Sequence, residues 1–294
     1  MTPTSRRPRR PRGPIADYSP RASTRALIDD VCAVLEGASS YWPLSVRAIY
    51  YRLLGTGRYP KGKGLAARVS EHVSNARRAG LIPWEAVFDS SEERARAGGW
   101  DSAQSWLDAV RRQAGELRLN RQAGQPQHIL VWCEARGMVP MLSGVANKYG
   151  VDVLSSSGYD STSVRHHIGT WAGDLDVSLV VLHVGDLDED GEAIFRAAAE
   201  DVSAWAGAYG GRVEFSRLAV TRQQVIEMGL PGDPDRVDNV QAEAIPPETM
   251  ATTLTDAIHA RLDLTVYTDL LAEEQLERRR AVAAIRSTGP GPRA

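Results

Sequence analysis

The run Val180-Val181-Leu182-His183-Val184-Gly185-Asp186-Leu187-Asp188-Glu189-Asp190-Gly191 constrains this chain more than any other segment. An apolar, β-branched stretch breaks off into alternating carboxylates and then a glycine. A strand that is apolar at nearly every position is buried on both faces, the mark of a parallel sheet. Acids directly after it stand at the carboxyl end, where open α/β sheets place their ligands. Asp186 and Asp188 share one face if the strand continues. Two hard oxygen donors on a wet face suit Mg²⁺ better than a softer metal. The same acids also suit the start of the next helix, as caps favoured by its dipole. A second apolar strand, His128-Ile129-Leu130-Val131-Trp132-Cys133, ends in Glu134. Acids delivered by separate strands to one sheet edge give the metal-site reading its weight.

From His128 onward strands and helices alternate. Segments 128–133, 151–155 and 177–184 have strand character, and helices are expected near 138–149, 161–172 and 190–207. This βαβ rhythm implies a parallel sheet. A further strand is expected over Arg212 to Leu218, after Gly210-Gly211. The chain loosens through Pro231, Asp233 and Pro234 before helices near 247–261 and 267–285. The expected fold is α/β, with residues 127–294 forming a metal-binding domain that carries a C-terminal helical extension.

The front of the chain has different chemistry. Residues 1–80 hold 15 Lys+Arg against 5 Asp+Glu; the totals of 35 and 37 leave 20 basic and 32 acidic residues beyond them. The formal net charge of -2 thus hides a front balance of +10 and a rear balance of -12. A basic nucleic-acid-binding unit joined to an acidic metal unit shows this segregation. Residues 1–20 interleave Arg6, Arg7, Arg9, Arg10 and Arg12 with prolines and are expected to form a disordered basic arm. Over 21–89, helical periodicity runs from Ser23 through Leu35. Pro43 is expected to open a second helix with Val46, Ile49, Tyr50 and Leu53. A basic loop, Lys61-Gly62-Lys63-Gly64, precedes a third helix with Leu65, Val69, Val73 and Ala76 on its apolar face. Ile82 to Asp89 reads as a short strand. Three small helices, a glycine-rich basic loop and a strand fit a winged-helix DNA-binding domain. Residues 90–126 read as a helical connector.

At 294 residues and 43% hydrophobic, the chain buries a sizeable core and divides into two domains. No apolar run has the length of a membrane span, and no hydrophobic segment follows the arginine-rich start. A cytoplasmic, nucleoid-associated protein without membrane contact is therefore expected. Two cysteines, Cys32 and Cys133, are too few for a disulfide framework or a cysteine zinc site.

The second helix carries Ser45-Val46-Arg47-Ala48-Ile49-Tyr50-Tyr51-Arg52. Arg47 and Tyr51 share a helix face, while Tyr50 points about 100° away, onto the Val46–Leu53 apolar stripe. A phenol with a pKa near 10 is a poor nucleophile at neutral pH. It needs a cation, a base or a metal close by. Arg47 supplies part of that. Read by themselves, the two tyrosines are equally packing residues with wet hydroxyls.

Glu after one strand and Asp-x-Asp after another resemble a Toprim domain, the metal-binding module of topoisomerases and primases. R-x-I-Y-Y-R on a winged helix followed by Toprim resembles the A subunit of type IIB topoisomerases. That group includes topoisomerase VI, its meiotic double-strand-break relative and small single-chain forms on bacterial mobile elements. The segment Ser157-Gly158-Tyr159-Asp160-Ser161-Thr162-Ser163-Val164-Arg165 resembles the family's G-x-P-s-x-x-t-R stretch. Helix capping by Ser161 or Thr162 accounts for its hydroxyls equally well. The run from Val240 to Glu248 resembles the family's E-x-E-A-L-P-P. The similarity spans residues 25–265 approximately.

The resemblance implies that Tyr51 attacks a DNA phosphodiester and stays on the 5′ end, assisted by Arg47 and Glu134. Glu134, Asp186 and Asp188 would hold Mg²⁺. Double-stranded DNA would lie against Lys61, Lys63, Arg68, Arg77, Arg78 and Arg165. The family pairs the tyrosine of one subunit with the metal of another, which implies a homodimer. The chain has no Walker A loop, so ATP-driven strand passage would need a separate B-type subunit. One departure stands out: the family's proline after the second Asp is Glu189 here, followed by Asp190, leaving open whether these replace an expected ligand. Two other readings remain open, a hydrolytic Toprim nuclease in which Tyr51 is structural, and a non-catalytic winged-helix DNA-binding protein.

Overall fold

The computed structural model describes residues 14–88, 99–155, 162–232 and 239–287. It is an α/β structure built around two cores.

The first core belongs to α1 (Ala22–Gly37), α2 (Val46–Gly55) and α3 (Lys63–Arg78), with the two-residue strands β1 (Leu44–Ser45) and β2 (Val87–Phe88). Leu27, Val31, Ile49, Leu53, Val69 and Val73 fill it. In each helix the two lie four residues apart, so each helix turns one apolar stripe inward. Two details differ from expectation. The second helix opens at Val46, not at Pro43, because the Ser45 side chain caps it by accepting from Ala48 N at 3.0 Å. The strand expected over 82–89 is confined, among the described residues, to Val87–Phe88, preceded by a 3-10 turn at Trp84–Ala86, and it pairs with β1 in parallel. Of the arm expected over 1–20, residues 1–13 lie outside the described residues. Ile15 N donates to Arg78 O at 3.0 Å, and Tyr18 packs on the helical core.

The connector holds α4 (Ala103–Gly115); residues 89–98 lie outside the described residues. After α4 the chain turns through buried Gln122, which accepts from Ile129 N at 2.6 Å and donates to Gly150 O at 2.9 Å. A buried amide so satisfied holds the connector against the sheet.

The second core is a sandwich of helices on a four-stranded parallel sheet. Its elements are β3 (Gln127–Cys133), α5 (Val139–Ala146), β4 (Asp152–Ser155), α6 (Thr162–Gly173), β5 (Ser178–Val184), α7 (Glu189–Ala208) and β6 (Val213–Ala219). The strand order is β4-β3-β5-β6. Alternation along each strand sorts side chains between two layers. Ile129, Val131, Val180 and Leu182 face α5 and a later helix over 247–259, whereas Leu130, Trp132, Leu179 and Val181 face α6 and α7. The chain leaves β3 towards β4 on one side and returns past β3 to β5 on the other. The crevice between the carboxyl ends of β3 and β5 is therefore the topological switch point.

Beyond the sheet come α8 (Arg222–Met228), α9 (Pro247–His259) and α10 (Leu264–Ser287). The short α8 was not anticipated, although Thr221 and Gln224 form its capping box. Between α8 and α9, Val240 and Leu187 exchange N–H···O bonds of 2.8 and 3.0 Å, so a strap over 240–245 runs past the end of β5. No helix among the described residues is long and apolar enough to cross a membrane. Leu182 is fully buried between the layers. Leu182→Ala should cost about 2–5 kcal/mol in urea unfolding, whereas Ile226→Ala, at an 81% exposed position, should stay within about 0.5 kcal/mol.

Candidate functional site

β3 and β5 run in register, with Cys133 opposite Val184. The pairing extends one residue further, as Glu134 N donates to Val184 O at 2.9 Å. Glu134 and Gly185 consequently meet at the switch point, and the carboxyl of Glu134 folds over the glycine. A Cβ at position 185 would stand 2.6 Å from Glu134 Cδ and from His183 Cε1. Only glycine leaves that space. His183 Nε2 lies 3.1 Å from Glu134 Oε1, yet the angles make no hydrogen bond. Glu134 Oε1 and His183 Nδ1 are both buried without a hydrogen-bond partner.

Asp186 follows on the turn out of β5 and accepts from Ala242 N at 2.8 Å. Burial, then the carboxylates of Glu134, Glu243 and Asp188, push its pKa up to about 6, against the pull of the Ala242 amide. Asp188 is the N-cap of α7, its Oδ1 accepting from Gly191 N at 2.6 Å. The capping role is thus real for one oxygen of Asp188. Glu189 is exposed at the start of α7, and the side chain of Asp190 lies outside the described residues.

The turn bearing these acids is pinned by Arg217 on β6. Its guanidinium donates to the carbonyls of Val220 at 3.2 Å, Gly191 at 3.3 Å and Gly185 at 3.3 Å, and also to that of Asp186. Burial lowers its pKa, while Glu134, Glu192, Asp186 and Asp188 oppose that shift. The cation therefore lies among the acids without pairing closely with one of them.

The helical unit meets this edge of the sheet through α2. Tyr51 packs against both cores, and its ring lies edge-on to Tyr50 with centroids 5.1 Å apart. Tyr50 is core, as its place on the apolar stripe predicts. Burial pushes the Tyr51 phenol up to about 12; Arg47 opposes this, and Asp186 and Glu243 add to it. Arg47 Nη1 lies 3.3 Å from Glu243 Oε2. A cleft of about 560 Å³ opens beside Tyr51, lined by Arg52, Thr56, Met228, Leu230 and Glu248 among others.

The basic residues are dispersed rather than gathered. Lys61 Nζ reaches Pro231 O at 3.3 Å and lies 6.0 Å from the Tyr51 ring centroid, beside the tyrosine. Arg68 is exposed on α3. Arg77 stacks 4.4 Å over the exposed Trp84 ring, and Arg78 ends the same helix. Arg165, on α6, lies 3.5 Å from Asp201 on α7. The side chain of Lys63 and residues 156–161, with most of the hydroxyl-rich segment, lie outside the described residues.

Sequence reasoning left out Glu243, Arg217 and His183. Glu243 lay within a stretch singled out for its resemblance, and His183 was visible beside the acids. Nothing in the pattern of β6 marked Arg217.

The donor set suits a hard cation. Glu134 has a buried oxygen without a hydrogen-bond partner, and Asp186 is pushed up first by burial and then by neighbouring carboxylates whose charge a divalent ion would neutralise. Among the described residues, however, no three His, Cys, Asp or Glu side chains are already gathered closely enough to enclose an ion. No protein-family model, curated protein or solved structure matches the chain.

The sign of the Asp186 shift yields a test that needs no activity. Its native pKa lies above that of an unfolded chain, so the native state loses stability as pH rises from about 4 to about 6. Asp186→Asn should accordingly be more stable than wild type at pH 7, by up to about 3 kcal/mol, with the gain absent below pH 4. Urea unfolding in chelator at pH 7 and below pH 4 measures both ends.

Proposed function

We propose that this chain is a DNA-cleaving protein of the type IIB topoisomerase A kind, with a winged-helix unit over 21–89 and a Toprim unit from 127 onward. The observation that carries the reading is the meeting of the two units at the acids. Tyr51 and Arg47 share one face of α2, and that face adjoins the strap whose Ala242 amide holds Asp186.

In this reading Tyr51 Oη attacks a phosphodiester phosphorus. The phosphotyrosyl bond forms as the bond to the 3′ oxygen breaks, the phenol proton passing to solvent and the 3′ oxygen taking one up as a free hydroxyl, with protein left on the 5′ end. Arg47 stabilises phenolate and the charge that builds on phosphate. Glu134, Asp186 and Asp188 would hold Mg²⁺, which supplies charge neutralisation at the phosphate and leaving oxygen. Lys61 stands beside the tyrosine, where it would meet the same phosphate, whereas Arg68, Arg77 and Arg78 on α3 would follow the duplex backbone. Such contacts make binding fall steeply with salt. Double-stranded DNA and a homodimer are the partners this reading implies, and ATP-driven strand passage would need a separate ATP-binding subunit.

One observation favours a second reading. A phenol pushed up to about 12 is fully protonated at neutral pH, so the acids would serve equally in a hydrolytic nuclease with Tyr51 as a packing residue. Covalent trapping separates the two. Supercoiled DNA, Mg²⁺ and protein are mixed and denatured in detergent, and protein-linked DNA is measured. Wild type should form the adduct, while Tyr51→Phe and Asp186→Ala should each lower it at least 100-fold, a loss of about 2.7 kcal/mol in barrier terms or more. Nicking by Tyr51→Phe without an adduct would establish the nuclease instead.

A further inference from the structure

We propose that His183 is the positioning residue for Glu134, its Nε2–H taking hold of one carboxyl oxygen so that the other is left to a divalent cation. This deepens the proposed function: it rests on reading Glu134, Asp186 and Asp188 as a Mg²⁺ site, and it asks nothing of Tyr51.

His183 is out of place by the logic of its strand. From Leu179 to Val184 it is the one polar side chain in an apolar run, and it is 1% exposed. Alternation turns it to the side of Val181 and Leu179, towards α7. There the Phe195 ring stands 4.9 Å from it between centroids, and the Trp132 ring 6.4 Å. Trp132 on β3 and Arg217 on β6 are its neighbours in register. Burying an imidazole is costly unless its nitrogens find partners. Here Nδ1 has no hydrogen-bond partner, and Nε2 points to an oxygen that has none either. A side chain kept only for packing would carry no such atoms.

Nε2 and Glu134 Oε1 are 3.1 Å apart, so the distance for a hydrogen bond is present and only the alignment is missing. The ring is wedged between aromatic neighbours, and the main chain of Glu134 is fixed by its bond to Val184 O. The carboxyl is the part free to turn, about its last bond, where the torsion is soft. Gly185 keeps the room for that turn. A Cβ there would stand 2.6 Å from Glu134 Cδ, from Glu134 Oε1 and from His183 Cε1 alike. The glycine, the imidazole and the carboxyl thus form one arrangement. Arg217 holds the turn of Asp186 from the buried layer beneath, and His183 holds Glu134 from the same layer. Groups that orient a ligating side chain in this way are worth about 10- to 100-fold in metal affinity.

Two substitutions separate positioning from packing. His183→Phe keeps the ring and removes the donor, whereas His183→Gln gives up the ring and keeps an N–H near the place of Nε2. Mg²⁺ binding is measured by calorimetry at neutral pH without DNA, with urea unfolding in chelator alongside. His183→Phe should keep the urea midpoint of wild type or exceed it, yet bind Mg²⁺ about 10-fold more weakly or worse, while His183→Gln stays within about threefold. The reverse order is the signature of packing. Mg²⁺ affinity of His183→Phe within about twofold of wild type, or His183→Gln no better than His183→Phe, would overturn the proposal.

Wild type supplies a readout that no folding defect can obscure. Nitrogen-edited NMR should show the His183 proton on Nε2, with its signal moving downfield when Mg²⁺ is added. A proton on Nδ1, or an Nε2–H signal that Mg²⁺ leaves in place, would overturn the proposal. The metal reading fails separately: wild type that binds no Mg²⁺, or Asp186→Ala that binds it as tightly as wild type, would remove the site itself and the role of His183 with it.

Discussion

The register between β3 and β5 is the constraint on which the rest of this structure depends. With Cys133 opposite Val184, the next residues out of the sheet are Glu134 and Gly185, and a carboxylate comes to lie over a glycine at the switch point. A slip of one residue would send the apolar set of the slipped strand to the wrong helical layer. It would also put a side chain where the Glu134 carboxyl now rests. The packing that fixes the register, Val131 and Leu182 towards α5 and Leu130 and Val181 towards α6 and α7, therefore also fixes the acids.

Electrostatics at this edge are costly. Burial and mutual repulsion work against ionisation of Asp186, and Glu134 Oε1 is buried without a hydrogen-bond partner although His183 Nε2 lies 3.1 Å away. Arg217 spends its donors on main-chain carbonyls, which holds the turn in shape without cancelling the charge of a carboxylate outright. Proteins keep such arrangements where a site needs charge poised for something else, and the cost is met by packing elsewhere.

Much of this was legible in the chain. The strands of the sheet, their parallel order and the helices between them follow from apolar runs broken by acids and glycines, and the three helices of the front unit follow from their spacing. Tyr50 as core and Tyr51 on the face of Arg47 follow from helical angles alone. What was not legible is what depends on distant partners. Glu243 meets Ser45 across 198 positions of sequence, and Arg217 reaches across a sheet to a loop whose shape no local pattern reports. The opening of α2 was misread because proline is a strong local signal, whereas the actual cap was the less conspicuous Ser45. The strand expected over 82–89 exceeds β2 because Ile82, Trp84, Val87 and Phe88 favour strands, whereas Trp84–Ala86 closes into a 3-10 turn.

The ties between α2 and the strap have a consequence for how the protein comes into being. Chains emerge from synthesis amino end first, and the front unit can close its own three-helix core as soon as residues 22–88 are free. Its α2 face must then wait for Glu243 and Glu248, nearly two hundred residues later. During that interval the half-apolar side of Tyr51 is open to solvent and to other nascent chains. Contacts this far apart also carry a large loop-closure entropy, which weighs against their forming early. Docking of the two units is therefore a late event in folding, set by the order of the chain rather than by the strength of either core.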